Sequence, residues 1–373
     1  MKTSKTLFLL FFLVLTAGLF AQGNFRTRNV IIITLDGLRW QEVFTGADSA
    51  LINNKEITKS LEPTVKKYWS SGPDERRNLL MPFLWGTISK EGQLYGNRNR
   101  GSNVNVSNKY WFSYPGYSEI FCGFVDDGIN TNDLNPNPNI NVLEVINQYD
   151  DFRGKVAAFT SWDAFPYILN AKRSGILVNS AFQQQEPVSE NVKMLNQIQT
   201  QLPDILEGVR LDAVTFYQGF EYLKAQRPRV LYLGLDETDD LAHDGRYDLY
   251  LNAINNSDKY IQVLWQWIQS QPDYQNQTTM LITVDHGRGE GNPGWRNHGR
   301  KTSGSDQTWF AILGPDTPAL GEVGKDSNQC YSNQFAQTIA ELLGIKYIGQ
   351  RPTGNYISSV FESQELKNAL TNK

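Results

Sequence analysis

The chain has 373 residues, of which 40% are hydrophobic and 20% are charged, and its formal net charge is −4 at pH 7. This composition is typical of a globular protein with a packed core and excludes an extended disordered chain. Because the sequence contains no basic block, a nucleic acid duplex is not expected as a partner.

The first predicted element is a secretory signal peptide over residues 1–22. Two lysines precede an apolar run over residues 7–20, and small or polar residues follow it. The alternative is a membrane anchor, but the run is short for a bilayer span. We therefore expect cleavage near Ala21 or Gln22 and an exported protein, periplasmic or secreted, without stable membrane insertion afterwards.

Three short apolar runs without polar alternation are predicted as strands buried on both faces. They are "VIIITLD" (30–36), "VLYLGLD" (230–236) and "TMLITVD" (279–285). Such runs are typical of parallel sheets covered by helices. Each run ends in an aspartate: Asp36, Asp236 and Asp285. Ligands bind beyond the carboxyl ends of such strands, so the three carboxylates are predicted to face one crevice. The alternative is that each aspartate caps a following helix.

The remaining elements alternate in the same way. Further strands are predicted at 155–161 and 307–314. Helices are predicted at roughly 75–91, 142–149, 192–206, 212–225, 247–270 and 332–343. This order indicates an α/β fold with a mostly parallel central sheet and helices on both faces. Residues 98–140, rich in Asn, Gly and Pro, are expected to form long loops. Residues 23–373 are predicted to form one catalytic domain, with 160–228 as an insert or cap.

The two cysteines, Cys122 and Cys330, leave two alternatives open. An exported protein can pair them in a disulfide. Two small buried thiols are at least as consistent with the sequence, because their spacing carries no geometric information.

A candidate nucleophile precedes a predicted helix in "FSYPGYSEIFCGF" (112–124). Pro115 suits the first turn of a helix, which places Ser113 where free N–H groups and the helix dipole favour anions. A serine at this position is by default an N-cap. It becomes a nucleophile when a neighbouring group such as a metal ion lowers its pKa.

The chain has only three histidines, and the first lies in "DETDDLAH" (236–243). Asp239 and His243 are four residues apart, so on a helical turn they share one face and can share a metal ion. Asp236 and Asp240 are the competing carboxylates, and we favour Asp239.

The other two histidines lie in "TVDHGRGEGNPGWRNHG" (283–299). Asp285 and His286 place a carboxylate and an imidazole at the end of a predicted strand, and His298 follows twelve residues later among glycines. Aspartate and histidine together suit a borderline divalent ion such as Zn²⁺. The alternative for any single histidine is a hydrogen-bonded structural residue.

Taken together, these segments resemble the alkaline phosphatase superfamily, and most of all its nucleotide pyrophosphatase/phosphodiesterase and phosphoglyceromutase-like metalloenzymes. The matching segments are "IITLDGLRW", "SYPGYSEIFCG", "DETDDLAH", "VDHG" and the residue His298. The resemblance implies an alkaline-phosphatase-like fold and two divalent ions, usually zinc. It implies one ion among Asp36, Ser113, Asp285 and His286. It implies the other ion among Asp239, His243 and His298.

Two positions depart from patterns within that superfamily. Sulfatases carry an arginine four residues after the nucleophile, and this chain has Tyr117 there. Related enzymes also carry an asparagine about twenty residues after the nucleophile that binds a phosphoryl oxygen. Asn132, Asn135 and Asn137 all lie in that region, and we favour Asn132. The alternative for each is a turn-forming asparagine.

The resulting hypothesis is a hydrolase that transfers a phosphoryl group from a small phosphorylated substrate to Ser113 and then to water. Arg39 and Asn137 are predicted substrate-binding residues, and Arg288, Arg296 and Arg300 are further candidate cations. The aromatic segment "SWDAFPY" (161–167) either lines the substrate pocket or belongs to the core. The choice between monoester and diester stays open. The alternatives are a sulfatase of the same superfamily and a secreted metal-binding protein without turnover.

Overall fold

The computed structural model describes residues 25–325 and 327–361. The predicted signal peptide and its cleavage position lie outside these residues. Among the helices that are described, none combines the length and the apolar character that crossing a bilayer requires.

The strands of the described chain belong to one large and one small sheet. They are β1 (Asn29–Leu35), β2 (Gln93–Tyr95), β3 (Val104–Asn105), β4 (Val156–Thr160), β5 (Leu177–Ser180), β6 (Val230–Leu235), β7 (Thr278–Thr283), β8 (Gln307–Thr308), β9 (Phe310–Leu313), β10 (Gly321–Glu322) and β11 (Cys330–Tyr331).

The helices surround these strands. They are α1 (Trp40–Thr45), α2 (Ser49–Ile52), α3 (Leu61–Tyr68), α4 (Pro73–Leu80), α5 (Ser89–Glu91), α6 (Ser113–Cys122), α7 (Val142–Gln148), α8 (Phe165–Ile168), α9 (Ala171–Ser174), α10 (Glu190–Gln199), α11 (Asp212–Gln226), α12 (Glu237–His243), α13 (Tyr247–Ser270), α14 (Gly291–Gly294) and α15 (Phe335–Leu342). A π-helical segment (Leu84–Ile88) and short 3-10 turns at Arg98–Arg100, Ser332–Gln334 and Ser358–Val360 complete the regular structure.

The large sheet has the strand order β10-β2-β9-β7-β1-β6-β4-β5. The five strands from β7 to β5 pair in parallel, and β9 runs antiparallel to both of its neighbours. The small sheet has the order β11-β3-β8. The predicted α/β class with a mostly parallel central sheet is therefore confirmed.

Alternate side chains of β1 enter two separate hydrophobic layers. Ile31 and Ile33 belong to a core that includes residues of α11 and α13, whereas Val30 and Ile32 belong to a core with α6, α7 and α15. Every residue of β1, β6 and β7 is buried, as expected for parallel strands covered on both faces. Helices therefore cover both sides of the sheet.

Some predicted boundaries differ from the structure for local reasons. The helix predicted at 75–91 is interrupted, because Pro82 disfavours a helical conformation at Met81 and α4 ends at Leu80. The strand predicted at 307–314 splits into β8 and β9, which belong to different sheets. The helix predicted at 192–206 ends already at Gln199.

The segment 160–228 contributes to the main fold as well as to its periphery. It supplies β5, which extends the sheet beside β4, and α11, which packs on β4 and β6. The division into one domain with an insert or cap stays a prediction.

Both cysteines are buried free thiols, so no disulfide joins Cys122 to Cys330. Burial raises the pKa of the Cys122 thiol to about 12 and that of Cys330 to about 11. Neither is therefore a reactive thiolate at neutral pH.

Candidate metal centre

The candidate ligands meet at the carboxyl edge of the central strands. Asp36 follows β1 directly, and Asp285 follows the neighbouring strand β7 by two residues. On the other side of β1, strand β6 leads into α12, which carries Asp239 and His243. Ser113 is the first residue of α6, and the chain segment after β7 brings in His286 and His298.

Three oxygen atoms gather around the Nε2 atom of His286. Ser113 Oγ lies 3.3 Å from it, and Asp36 Oδ1 and Asp285 Oδ2 each lie 3.4 Å from it. Asp36, Asp285 and His286 are at most 1% exposed. Three oxygens and one nitrogen thus converge in a space that is closed to solvent.

The two carboxylate oxygens in this group have no hydrogen-bond partner although both are buried. A buried carboxylate oxygen left unpaired is costly, and an ion that it coordinates removes that cost. Around an ion with four tetrahedral ligands at about 2.0–2.1 Å, neighbouring ligand atoms are about 3.3–3.4 Å apart. The three distances measured from His286 Nε2 have this spacing, so the residues fit such an ion.

Further contacts hold these ligands in orientation. His286 Nδ1 donates to the Gly287 carbonyl at 2.9 Å, which leaves the lone pair on Nε2. The hydroxyl of Tyr117 donates to Asp36 Oδ2 at 2.8 Å, and the N–H of Gly37 donates to Asp285 Oδ1 at 3.2 Å. In each carboxylate, therefore, the oxygen that faces the other donors is the one left free.

A second cluster forms next to the first. His243 Nε2 lies 3.1 Å from Asp239 Oδ2 and 2.9 Å from His298 Nε2, and His298 Nε2 lies 3.7 Å from Asp239 Oδ1. The rings of His286 and His298 stack with centroids 4.0 Å apart. All seven residues predicted as metal ligands are thus brought together at one edge of the sheet.

The two clusters also overlap. His286 Nε2 lies 3.8 Å from Asp239 Oδ1, so that Asp239, His286 and His298 offer one compact set of donors and Asp36, Asp285 and His286 offer another. His243 lies beside Asp239 and His298 at the solvent-exposed end of the site, and its own side chain is 44% exposed. We call Asp36, Ser113, Asp285 and His286 the inner group, and Asp239, His243 and His298 the outer group. His286 is assigned to the inner group because its Nε2 is closer to Asp36 and Asp285 than to Asp239.

The pKa values reflect the crowding of charge in the inner group. Burial, and then the neighbouring charge of Asp36, raise the pKa of Asp285 well above its usual range. Burial alone lowers the pKa of His286, but Asp285 and Asp36 outweigh it and raise this pKa to about 9. The two carboxylates thus favour a positive charge between them, which is a proton on the His286 ring when no ion is bound and which a divalent ion would displace.

In the outer group, the pKa values of His298 and Asp239 are both lowered. Burial and then His286 lower the pKa of His298 to about 2, so its imidazole is neutral at neutral pH, as a metal ligand must be. Burial opposes ionisation of Asp239, but Arg288 and then His298 hold its pKa well below the usual range. Asp239 is therefore a permanent carboxylate.

Arg288, one of the candidate cations, is buried and contacts Asp239 through Nη1. Its other nitrogens donate to the carbonyls of Trp295 at 2.8 Å and Arg296 at 2.7 Å. Arg288 therefore holds the segment before His298 against the carboxylate of Asp239.

The competing acids Asp236 and Asp240 occupy neighbouring positions outside both donor sets. Burial, and then the charge of Asp36, raise the pKa of Asp236 well above its usual range. Burial and the charge of Asp239 raise the pKa of Asp240 to about 8. Asp239 is the member of this acidic segment that faces the histidines.

The structure gives Ser113 a different environment from that of a capping residue. Phe112 occupies the N-cap position of α6, and Ser113 is the first helical residue, with its hydroxyl directed to His286. The hydroxyl of this candidate nucleophile therefore points toward His286 rather than at the helix backbone.

Of the three asparagines, Asn132 lies at the start of α6. Its Oδ1 accepts from the N–H of Tyr114 at 3.0 Å, one residue after Ser113. Asn137 is buried, donates to Ser118 Oγ at 3.0 Å and accepts from the N–H of Asn139. Asn135 contributes its carbonyl, which accepts from the hydroxyl of Tyr114. Asn132 is thus the one beside Ser113, and Asn137 has the contacts of a turn residue.

The structure places Arg39 in a buried ion pair. Arg39 Nε donates to Glu42 at 2.9 Å, and Nη1 donates to the Gly289 carbonyl at 3.0 Å. The guanidinium is 1% exposed. The predictions that Arg39 and Asn137 bind substrate gain no support from these positions, because neighbouring protein groups already engage both side chains.

The aromatic segment 161–167 divides between the two expected locations. Phe165 is buried against Tyr117 and Tyr232 in the core. Trp162 is half-buried and meets Phe165 edge to face with ring centroids 6.2 Å apart.

Sequence reasoning did not identify the orienting role of Tyr117 or the contact between Arg288 and Asp239. Both depend on neighbours far away in the chain, at positions 36 and 239. The one available indication for Tyr117 was its position four residues, about one helical turn, after Ser113.

No protein-family model matches this chain, and no curated protein matches it. Solved structures do. The wild-type alkaline phosphatase PafA has a TM-score of 0.59 at 10% identity, with 90% of this chain and 99% of that chain covered. The inactive murine ectonucleotide pyrophosphatase/phosphodiesterase 5 in complex with AMP has a TM-score of 0.52 at 13% identity, with 90% and 100% covered. A 2-O GAG sulfatase has a TM-score of 0.51 at 11% identity, with 90% and 74% covered.

Proposed function

We propose that this chain, which has the fold of the alkaline phosphatase superfamily, is an exported metal-dependent phosphoric ester hydrolase with Ser113 as its nucleophile. One observation carries the proposal. The buried and unpartnered oxygens of Asp36 and Asp285 share a centre with His286 Nε2 and the hydroxyl of Ser113. Export rests on the sequence of residues 1–22.

The donor set favours zinc. Calcium and magnesium prefer sites built from oxygen, whereas the two groups here contain three imidazoles and three carboxylates. The outer group supplies Asp239, His243 and His298, and the inner group supplies the remaining donors. When bound, two divalent ions would supply the positive charge that ionises a hydroxyl at neutral pH and stabilises charge on the departing oxygen.

The residues of this chain perform the positioning. Ser113 presents its oxygen to the phosphorus atom, and the N-terminus of α6 favours the anionic phosphoryl group. The side chain of Asn132 lies next to Ser113, because its Oδ1 accepts from the N–H of Tyr114. No additional general base is needed, which agrees with all three histidines being ligands. Since charge on oxygen dominates the transition state, positioning and electrostatics supply most of the rate.

Two alternatives share this fold or this site. A sulfatase carries an arginine where this chain has Tyr117, and here that side chain is buried and orients Asp36. This contact supports phosphoric ester hydrolysis over sulfate ester hydrolysis. A metal-binding protein without turnover would keep the ligands but hydrolyse none of the test esters.

The test is hydrolysis of nitrophenyl phosphate, bis-nitrophenyl phosphate and nitrophenyl sulfate by the wild type, by Ser113→Ala and by the exposed control Ser49→Ala. We expect the wild type and the control to cleave at least one phosphate ester, with chelator abolishing activity and zinc restoring it. Ser113→Ala should lose at least about a thousandfold in kcat. Full activity in Ser113→Ala, or indifference to chelator, would contradict the proposal.

The two alternatives give distinct results in the same assay. Cleavage of the sulfate ester alone, with a modified residue 113 in intact-peptide mass spectrometry, would indicate a sulfatase. Zinc binding without cleavage of any ester would indicate the binding protein. A ratio of the two phosphate ester activities assigns the enzyme to monoesters or diesters.

A further inference from the structure

The turn that leads into α6 contains a residue in a disfavoured backbone conformation. Trp111, two residues before Ser113, has φ +56°, in the left-handed region that large side chains rarely adopt. Such a conformation persists only when its surroundings enforce it, and it is concentrated at functional sites. What enforces it and what it achieves can both be traced through hydrogen bonds.

The enforcement comes from α6 itself. Glu119, fully buried on this helix, accepts the N–H groups of Ser107 at 2.7 Å and Asn108 at 2.8 Å, and its Oε2 also accepts from Asn108 Nδ2 at 3.0 Å. The Oδ1 of Asn108 then accepts the N–H groups of Tyr110 at 2.9 Å and Trp111 at 3.1 Å. The turn is thus tied to the helix that carries the nucleophile.

The conformation of this turn sets the direction of the main-chain carbonyl of Trp111. The main-chain oxygen of Trp111 lies 3.4 Å from Nδ1 of His298. A proton on Nδ1 leaves the lone pair on Nε2, the atom that faces His243 and Asp239. This carbonyl therefore selects the tautomer in which His298 can coordinate an ion.

We propose that Trp111 is a positioning residue, and that its left-handed backbone holds His298 ready for the outer metal ion. The connection through Glu119 and Asn108 makes the placement of Ser113 and the placement of His298 parts of one rigid unit. The inference rests on the proposed function only in requiring two ion-binding groups. The main chain of Trp111, not its indole ring, carries the effect.

The test separates backbone from side chain by three substitutions. Glycine adopts a left-handed conformation freely and asparagine tolerates it, whereas valine strongly disfavours it. Trp111→Gly and Trp111→Asn should therefore bind the outer ion like the wild type. Trp111→Val should bind it about 10- to 100-fold more weakly, the usual effect of losing a group that orients a metal-binding histidine.

The readout is titration of the metal-free protein with Co²⁺, followed by visible absorption, with calorimetry for the two affinities. Unchanged binding of the first equivalent in Trp111→Val shows that the protein is folded and that the inner group is intact. Binding of the second equivalent should fall in this variant alone.

Two results would overturn the inference. One is wild-type affinity for the second ion in Trp111→Val. The other is an equal loss in Trp111→Gly and Trp111→Val, which would assign the effect to the indole ring. Binding of fewer than two ions by the wild type would instead refute the two-metal scheme of the proposed function, so the two failures are distinguishable.

Discussion

At the scale of single residues, the centre is defined by which oxygen of each carboxylate is occupied. Asp36 uses one oxygen to accept from Tyr117, and Asp285 uses one to accept from the N–H of Gly37. The remaining oxygens are buried without a partner. Burying an unpaired carboxylate oxygen costs desolvation free energy, so these two oxygens are the features that most directly point to a cation site.

The role of Tyr117 can be tested against a matched buried tyrosine. Tyr117→Phe removes the donor to Asp36, and we expect the affinity for the inner ion to fall about 10- to 100-fold. Tyr232→Phe removes a similarly buried hydroxyl, which bonds Thr34 at 2.8 Å instead of a ligand. Both variants should lose about 1–2 kcal/mol of stability, but only the first should lose zinc affinity in calorimetry. Equal zinc affinities in the two variants would remove Tyr117 from the centre.

At the scale of elements, the sequence predicted those whose burial pattern is continuous. The runs "VIIIT" and "VLYLGL" lie wholly within buried parallel strands, and the 24-residue helix α13 was predicted with its boundaries. Strand β5 escaped notice because "LVNS" is short and partly exposed at the edge of the sheet. The left-handed turn at Trp111 was equally out of reach, because a strained φ depends on partners rather than on the residue itself.

The interrupted helix around Pro82 depends on a distant carboxylate. Asp258 on α13 accepts the N–H groups of Phe83 at 2.7 Å and Leu84 at 2.8 Å, at the start of the π-helical segment. Asp258→Ala leaves both groups without an acceptor, and we expect a loss of about 2–4 kcal/mol in the free energy of unfolding, measured by urea denaturation. The neighbouring substitution Lys259→Ala should change it by less than about 0.5 kcal/mol.

The advantage of the wild type over Asp258→Ala should also depend on pH. Burial raises the pKa of Asp258 to about 6, above the usual aspartate value of 3.8. Between these values the folded protein binds a proton that the unfolded chain has lost, so stability from this group falls as the pH rises from about 4 to about 6. The advantage should therefore be largest near pH 4 and constant above pH 6. An advantage that grows with pH over this window would contradict the assignment.

At the scale of the whole molecule, the candidate metal centre draws its residues from segments between positions 36 and 298. The motifs and their order were readable in the sequence, and the structure brings all seven predicted ligands to one edge of the sheet. The sequence could not show which charged side chains are already bound to other groups of the protein. Arg39, which was predicted to bind substrate beside Asp36, is bound to Glu42 instead. A buried guanidinium requires such a partner for its charge.

The stability of the fold should respond to the charge of Asp285 in opposite directions with and without metal. In chelator, Asp285→Asn removes a buried carboxylate close to Asp36, and we expect the free energy of unfolding to rise by about 1–3 kcal/mol. In zinc, the wild type gains about 2.7 kcal/mol at a hundred times the dissociation constant, and the variant loses most of this gain.

Thermal denaturation in both conditions measures the two effects. Asp150→Asn is the matched control, because this carboxylate is 93% exposed and should leave both midpoints unchanged. A variant that is less stable than the wild type in chelator would show that Asp285 is not under electrostatic strain in the metal-free protein.

The exposure of the three imidazoles gives the centre a direction. The exposed fraction of the side chain rises from 0% for His286 through 13% for His298 to 44% for His243. Ser113 and His286 thus lie at the buried end of the centre, and His243 lies at its solvent-exposed end. Under the proposed function, a substrate ester would reach Ser113 from the side of His243, with its alcohol portion toward the solvent.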